Sequence, residues 1–575
     1  MNIDRSIKPE PAEEISFALP AIERFTLQSG LNVIFVRKNN LPLLQFYLMI
    51  EAGNKFDPQN KKGLANLTAM TIDEGAGDYD ALLLSDEFDL IGSHFDINTG
   101  NDYIYLSLQT LTEYFDRSLE LFCDVLLKPL FNNSAFYREQ RKTITRIMQV
   151  KDNPEEIADT AFEYLIFGKL NPYSYPIKGY KKTVSNISND DVKNFYAQYF
   201  TPNRSYLVVV GDTNKNELED KLNRHFIDWN PGKNNIATTT SITSNQPGFY
   251  YVDKKDAVQS EIRVGHLSQK RDLLDYFPKL ILNTILGGQF SSRLNLNLRE
   301  NHGYTYGALS MFSYYKENAH FSVSTSVGIE NTSNALNEII KELNKIKNGI
   351  TTAELDFAKS SIIRKFPSQF ETYTQIASNL MGMIKYSLPV DYFNKYLDNV
   401  KNVSKEDKLK LLDIAPVQSL SKWLQRKIEF DYRSADLSNP MVVDKVDIMD
   451  MDIYKDETFD FVLCSHVLEH VNGDVKAMKE LHRVLKQGGT EILMAPIHLD
   501  LKKTVEDPEC KDDDCRWKLF GQDDHVRLYS KDDFRNRLTS VGFRVTEMTS
   551  EDFAENTFDR AGIRKDSVLY IVEKR

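Results

Sequence analysis

At 575 residues the chain is too long for one hydrophobic core, and its 41% hydrophobic and 27% charged residues are ordinary for a globular protein. A net charge of −12 leaves no basic stripe to displace counterions from a duplex, and no run of about 18 apolar residues exists to span a bilayer, which excludes nucleic acid and membrane as partners. The opening Met1-Asn-Ile-Asp-Arg-Ser-Ile-Lys-Pro-Glu-Pro11 lacks the apolar stretch of a secretory signal, so the expected location is cytoplasmic.

Along the chain, Phe25–Val36 alternates as a strand pair turning at Ser29-Gly30, and Leu44–Ile50 follows as another strand. A helix fits Gly63–Asp73, with Leu64, Leu67 and Met70 at three-residue spacing, and a second fits Ser85–Ile91. A strand at Tyr103–Leu108 and amphipathic helices at Tyr114–Leu126 and Phe136–Val150 continue an α+β unit. Asn186–Val192 then leads through Asn194–Phe200 into the apolar run Tyr206–Asp212. Asn230–Asn245 is polar and reads as a linker.

The same order then recurs, with strands Gly248–Val252, Val258–His266 and Phe321–Ser326 and helices Phe277–Leu286, Ser333–Lys347 and Thr352–Lys365. Asn402–Lys408 repeats Asn186–Val192, yet nothing like Tyr206–Asp212 follows it. The second copy is therefore expected to be one strand short, with an exposed sheet edge. From Lys410 another rhythm begins: strand Lys410–Ile414, helix Ser419–Lys427, strands Ile428–Ser434, Val442–Ile448 and Phe459–Cys464, helix Asp474–Leu485, a turn at Gly488-Gly489 and strand Thr490–Met494. Such β/α alternation implies a mainly parallel sheet whose ligands bind at the carboxyl ends of the strands. Cys123 and Cys464 sit in apolar runs, whereas Cys510 and Cys515 lie in an acidic stretch without a second ligand pair, which favours a solvated loop over a metal site.

Gly53-Asn-Lys-Phe-Asp-Pro58 with Gly63-Leu-Ala65, Asp152-Asn-Pro154, and Leu286-Gly-Gly-Gln-Phe-Ser-Ser-Arg-Leu294 with Leu298–Tyr306 make residues 20 to 407 resemble the insulinase and mitochondrial-processing-peptidase family. Active members carry His-x-x-Glu-His after the Gly-x-Ala, where two imidazoles hold zinc and the glutamate is the general base. Here those positions are Asn66, Ala69 and Met70, and the family's distal glutamate ligand falls on Arg146. The resemblance thus implies a degenerate zinc site and no zinc in this chain. It also implies that Arg299 and Tyr306, beside Gly287 and Gly288, bind substrate backbone; the alternative is a surface ion pair and a packed ring. The partner implied is a catalytic, zinc-bearing subunit of the same family in a heterodimer, acting on a peptide.

Asp456–Val471 followed by Glu480–Gly489 makes residues 408–575 resemble class I S-adenosylmethionine-dependent methyltransferases. The resemblance implies that S-adenosyl-L-methionine is held by Asp413, Ala415, Asp436, Asp447, Ile448 and Ser465. The first loop, Asp413–Ser419, departs from the usual pattern by containing no glycine. His466-Val-Leu-Glu-His470 satisfies an inverted zinc-peptidase motif, but it leaves barely one turn of helix before Asn472-Gly473, and the methyltransferase context explains the same letters. Asp524-His-Val-Arg527 reads equally as an active-site loop or as satisfied polar residues.

The expected organisation is an arm (1–20), a first peptidase-family unit with a degenerate zinc site (21–229), a linker (230–245), a truncated second unit (246–407) and a Rossmann-like methyltransferase domain (408–575). The expected fold class is tandem α+β units followed by an α/β domain. Two functions follow from these residues: a non-catalytic peptidase subunit fused to a methyltransferase, or a catalytically inert scaffold, including an accidental fusion near Lys408.

Overall fold

The computed structural model describes residues 20–232, 247–271, 273–404, 409–425, 430–507, 509–553, 557–558, 563–564 and 567–574. The expected arm up to residue 19, the expected linker from residue 233, the junction at Lys408, and the expected helix end Lys427 and strand start Ile428 lie outside these. The chain divides into two compact units, Met1–Val403 and Ser404–Arg575. Among the described residues no helix is long and apolar enough to cross a membrane.

The first unit is built on a six-stranded sheet in the order Ile22–Thr26, Asn32–Arg37, Ser205–Gly211, Leu43–Ile50, Ile104–Leu111, His94–Thr99. Ser205–Gly211 lies in the middle, parallel to Asn32–Arg37 and antiparallel to Leu43–Ile50. Its run of consecutive apolar side chains follows from burial on both faces. Leu207 and Val209 join Val33 and Phe35 in a core shared with helices Leu64–Ile72 and Phe115–Leu127. Val208 and Val210 join Ile34 and Val36 in a second core with Phe277, Ile281, Leu380 and Tyr396, all from the second half of the repeat. The helices of one copy therefore cover the sheet of the other.

The second copy's sheet has three strands among the described residues, in the order Ala308–Tyr314, Ala319–Gly328, Gln259–Ser268. These match in order His94–Thr99, Ile104–Leu111 and Leu43–Ile50 of the first copy. The expected strand Gly248–Val252 does not form, and the physical reason is the absent neighbour. In the first copy Asn32–Arg37 pairs with Ile22–Thr26 and Ser205–Gly211 alone. Without a counterpart of Ser205–Gly211 among the described residues, the strand beside which 248–252 would pair is missing, and Phe249 is left 77% exposed. The second helix begins at Ala81, four residues before Ser85, because Asp80 caps it by accepting from the N–H groups of Leu82 and Leu83 at 3.0 Å.

In the second unit a seven-stranded sheet runs Asp444–Lys445, Phe430–Asp436, Leu409–Ile414, Phe459–Ser465, Leu485–Met494, Leu569–Lys574, Phe543–Met548. The first five strands are mutually parallel, and Leu569–Lys574 is antiparallel to both its neighbours. The expected strand Val442–Ile448 shrinks to Asp444–Lys445, an edge strand with two paired residues. The expected turn at Gly488-Gly489 is a bulge instead: one strand runs through it, with the register shifting between Phe459 and Phe461 of its partner and Gly488 at φ +78. Cys510 and Cys515, expected in a solvated loop, are joined as a disulfide that ties the segment before helix Asp513–Phe520 to the helix's first turn.

Candidate functional site

Helix Leu64–Ile72 carries three of the four degenerate metal positions. It is fixed by Asp57, whose Oδ2 accepts from Gly63 N and Oδ1 from Ala65 N, each at 2.7 Å. Burial pushes the Asp57 carboxyl up to about 7 in spite of these bonds and the nearby Lys62. Gly63 cannot be replaced cheaply, since it stands at φ +99 and an added Cβ would lie 2.6 Å from the Lys178 carbonyl oxygen. Asn66 and Met70 are half-buried one turn apart and Ala69 is fully buried, with Met70 packed against the core.

Around this helix charges meet one another. Arg138 pairs with Glu74, and Lys142 Nζ lies 2.6 Å from Glu139 Oε1. Burial, reinforced by Glu139, holds the Glu74 carboxyl above the usual range. Arg146 is exposed without an acidic partner among the described residues; with Arg138, Arg141, Lys142 and Thr145 it lines a basic cavity of about 390 Å3. An amide, a methyl, a thioether and a guanidinium do not fit zinc, which takes thiolate, imidazole or carboxylate ligands.

Residues expected to hold a peptide gather on the second copy. Arg299 lies in a wide helical turn, Leu296–Asn301, and its guanidinium stacks 3.9 Å from the centroid of the Phe290 ring. Its Nη1 is buried without a hydrogen-bond partner. Tyr306, seven residues on, is 93% exposed. Phe290, Tyr306, Gly287 and Gly288 line one cavity of about 580 Å3, with Glu261 and Arg263 on its wall. Gly287 and Gly288 have an internal role that the sequence did not disclose. Both N–H groups bond the Asn283 carbonyl, ending helix Leu273–Leu286, and a Cβ on Gly287 would lie 2.7 Å from Ser310 N of the adjoining strand. Buried Asn295 anchors the start of that strand by exchanging hydrogen bonds with Ala308.

In the second unit Asp413, Ala415, Asp436, Asp447, Ile448 and Ser465 all fall at or just beyond the carboxyl ends of parallel strands. Ala415 and Ser465 close the adjacent strands Leu409–Ile414 and Phe459–Ser465, where the strand order reverses. Ala415 adopts φ +51, so the loop without glycine makes a left-handed turn with a Cβ in place. Asp413 is buried, which raises its carboxyl, and accepts from the Tyr432 hydroxyl at 2.7 Å. Asp436 Oδ1 caps a turn, accepting from Ser438 N at 2.7 Å and Asn439 N at 2.8 Å. Asp447 does the same for Met449 N at 2.8 Å, and Ile448 is buried. Arg527 is internal: its Nη1 donates to the carbonyls of Leu468 and Val471 at 2.7 Å.

Comparison with known proteins bears out both resemblances. The family of insulinase, peptidase family M16, matches residues 33–169; the peptidase M16 inactive domain matches residues 186–362; a methyltransferase domain matches residues 390–493. A Helicobacter pylori protein named non-peptidase homolog YmxG is 24% identical over 384 residues, 66% of this chain and 87% of that protein. An uncharacterized zinc protease YmxG of Bacillus subtilis is 21% identical over 347 residues, 59% of this chain and 82% of that one. Among solved structures, a peptidase M16 inactive domain from Pseudomonas fluorescens superposes with TM-score 0.61 at 24% identity, covering 67% of this chain and 92% of that chain. A protease from Helicobacter pylori does so with TM-score 0.62 at 20% identity, covering 67% and 94%. Taken together, the matches show two halves similar to insulinase-family (peptidase M16) domains, the second matching the inactive type, followed by a part that matches a methyltransferase domain.

Proposed function

We propose that the peptidase-like unit is the non-catalytic member of a two-chain zinc peptidase and that the second unit binds S-adenosyl-L-methionine. The observation that carries the first part is the Arg299 guanidinium, with Nη1 buried and unpartnered, stacked on Phe290, a ring that lines one cavity with Tyr306. A guanidinium and a phenol are donors toward a peptide carbonyl, and buried donors normally have partners. The role follows: Arg299 and Tyr306 hold the substrate backbone, while a His-x-x-Glu-His chain contributes the metal and the base. Glu261 and Arg263 give the cavity wall both charges and so favour an extended polar peptide over an apolar one.

The test is peptidase activity of the full chain with its zinc-bearing partner. Arg299→Ala is expected to lower kcat/KM by about 100-fold or more, the scale on which one carbonyl-polarising donor acts. Full activity of the partner without this chain would refute the proposal.

For the second unit, the support is the convergence of Ala415, Asp436, Asp447 and Ser465 on the carboxyl edge at the strand-order reversal. Asp436 keeps Oδ2 for the ribose hydroxyls and Ile448 offers an apolar contact to adenine. The group, when bound, contributes an electrophilic methyl. Calorimetric titration with S-adenosyl-L-methionine is expected to give heat that Asp436→Ala abolishes; no heat from the parent chain would favour an inert scaffold.

A further inference from the structure

We propose that Glu469, His470 and His525 form a binding site for a first-row divalent transition cation of the zinc kind. The three offer ligand atoms within 4.8 Å of one another. His466-Val-Leu-Glu-His470 forms no helix; it is a turn leaving strand Phe459–Ser465, with His466 at φ +56, and the third ligand arrives from 55 residues further along the chain.

Glu469 and His470 each have one ligand atom held by a neighbour and another left for a cation. Glu469 is 1% exposed; its Oε1 lies 3.2 Å from His466 Nδ1, while its buried Oε2 has no partner. His470 Nδ1 is held by Asp524, 3.2 Å from the carbonyl oxygen and 3.3 Å from Oδ2, which turns Nε2 toward Glu469. His525 is 5% exposed with Nδ1 buried and unpartnered, and its ring stands edge-on to His470 at 4.8 Å. A buried carboxylate oxygen and a buried imidazole nitrogen without partners, in a cluster whose ligand atoms lie within 4.8 Å of one another, call for a ligand that brings positive charge.

The two ligand segments are fastened to each other. Val526 N donates to the Glu469 carbonyl at 2.9 Å, and Arg527 Nη1 clamps the Leu468 and Val471 carbonyls. Tetrahedral zinc, about 2.0–2.1 Å from each ligand atom, sets ligands roughly 3.3 Å apart. The ligand atoms need therefore draw in by up to about 1.5 Å. Two imidazoles and one carboxylate suit zinc, cobalt or manganese, whereas calcium and magnesium favour oxygen shells. Three protein ligands leave at least one position for water or an oxygen of a bound small molecule. The site begins at the carboxyl end of Phe459–Ser465, the edge where ligands of such sheets bind.

The full chain, stripped with a chelator and dialysed, is titrated with Co2+ read by visible absorption and with Zn2+ by competition. One equivalent of cobalt with ligand-field bands is expected. Glu469→Gln and His525→Ala should each weaken binding by more than the roughly 10–100-fold that losing an outer partner costs. His302→Ala, in the first unit, should leave it unchanged. Thermal melting accompanies each variant, and should His525→Ala fail to fold, the nearly isosteric Glu469→Gln decides. No cobalt or zinc uptake by the parent chain, or unchanged affinity in Glu469→Gln, would overturn the assignment.

Discussion

Asp57 accepts a 2.7 Å hydrogen bond from the backbone N–H of Ala65, and so a buried carboxyl fixes the first turn of the helix on which the zinc ligands are missing. The scaffold of a metal helix is thus retained while its side chains are not. Asn66→His, Ala69→Glu, Met70→His and Arg146→Glu introduced together are expected to add one zinc equivalent per chain. Metal analysis is best done with Glu469→Gln alongside, so that the second unit does not contribute. No added zinc in a folded variant would mean that the surrounding charges, Arg138 with Glu74 and Lys142 with Glu139, have closed the space.

Asp102 joins the two copies of the repeat. Buried, it accepts from the Tyr173 hydroxyl at 2.6 Å and the Lys316 N–H at 2.9 Å, and lies 3.2 Å from Lys55 Nζ. Asp102→Ala leaves the Tyr173 hydroxyl and the Lys316 N–H short of an acceptor, while Lys55 keeps Glu51 and Glu317, and is expected to destabilise the first unit by about 1–3 kcal/mol, the cost of an unsatisfied buried donor. Denaturant unfolding followed by fluorescence would check it.

Elements with strong periodicity were legible in the sequence because their signal is local: Phe115–Leu127 and Thr332–Lys347 are amphipathic helices in isolation and in the fold. Phe249-Tyr-Tyr-Val252 looked like a strand and is not one, because the strand that would lie between it and Gln259–Ser268 has no counterpart among the described residues. The tandem α+β architecture and the Rossmann-like domain were readable from motifs. What could not be read was tertiary: the Arg299 stack on Phe290, the tight seat of Gly287 against Ser310, and the meeting of His525 with Glu469 and His470 across a long sequence gap. The Cys510–Cys515 bridge was missed because spacing alone does not distinguish a disulfide from a solvated pair.

Glu491 is fully buried in strand Leu485–Met494 with both oxygens unpartnered, and burial raises its carboxyl well above 4.5. Below the unfolded value both states are protonated and the group is silent. Above it the unfolded chain ionises while the folded one does not, so stability falls with rising pH until the folded carboxyl titrates. Glu491→Gln removes that penalty. The variant's melting advantage over the parent should be smallest near pH 4 and grow toward pH 8, by at most about 1.4 kcal/mol per pH unit. A pH-independent difference would contradict the burial argument.

Ala415 holds a left-handed conformation at φ +51, where a Cβ costs about 1–2 kcal/mol. Ala415→Gly relieves this and is offset by about 0.4–1 kcal/mol of extra unfolded-state freedom. The net expectation is a gain of roughly 0.5 kcal/mol in the second unit's stability, read by thermal melting.

The central claim is that Asn66, Ala69, Met70 and Arg146 leave the peptidase-like pair unable to hold the hydrolytic metal. Its most direct test is cleavage of an unstructured peptide by the purified chain alone, supplied with zinc. No turnover above the blank is expected, both for the parent and for Glu469→Gln. Chelator-sensitive cleavage that persists in Glu469→Gln would contradict the account, because it would require a working metal centre in the first unit.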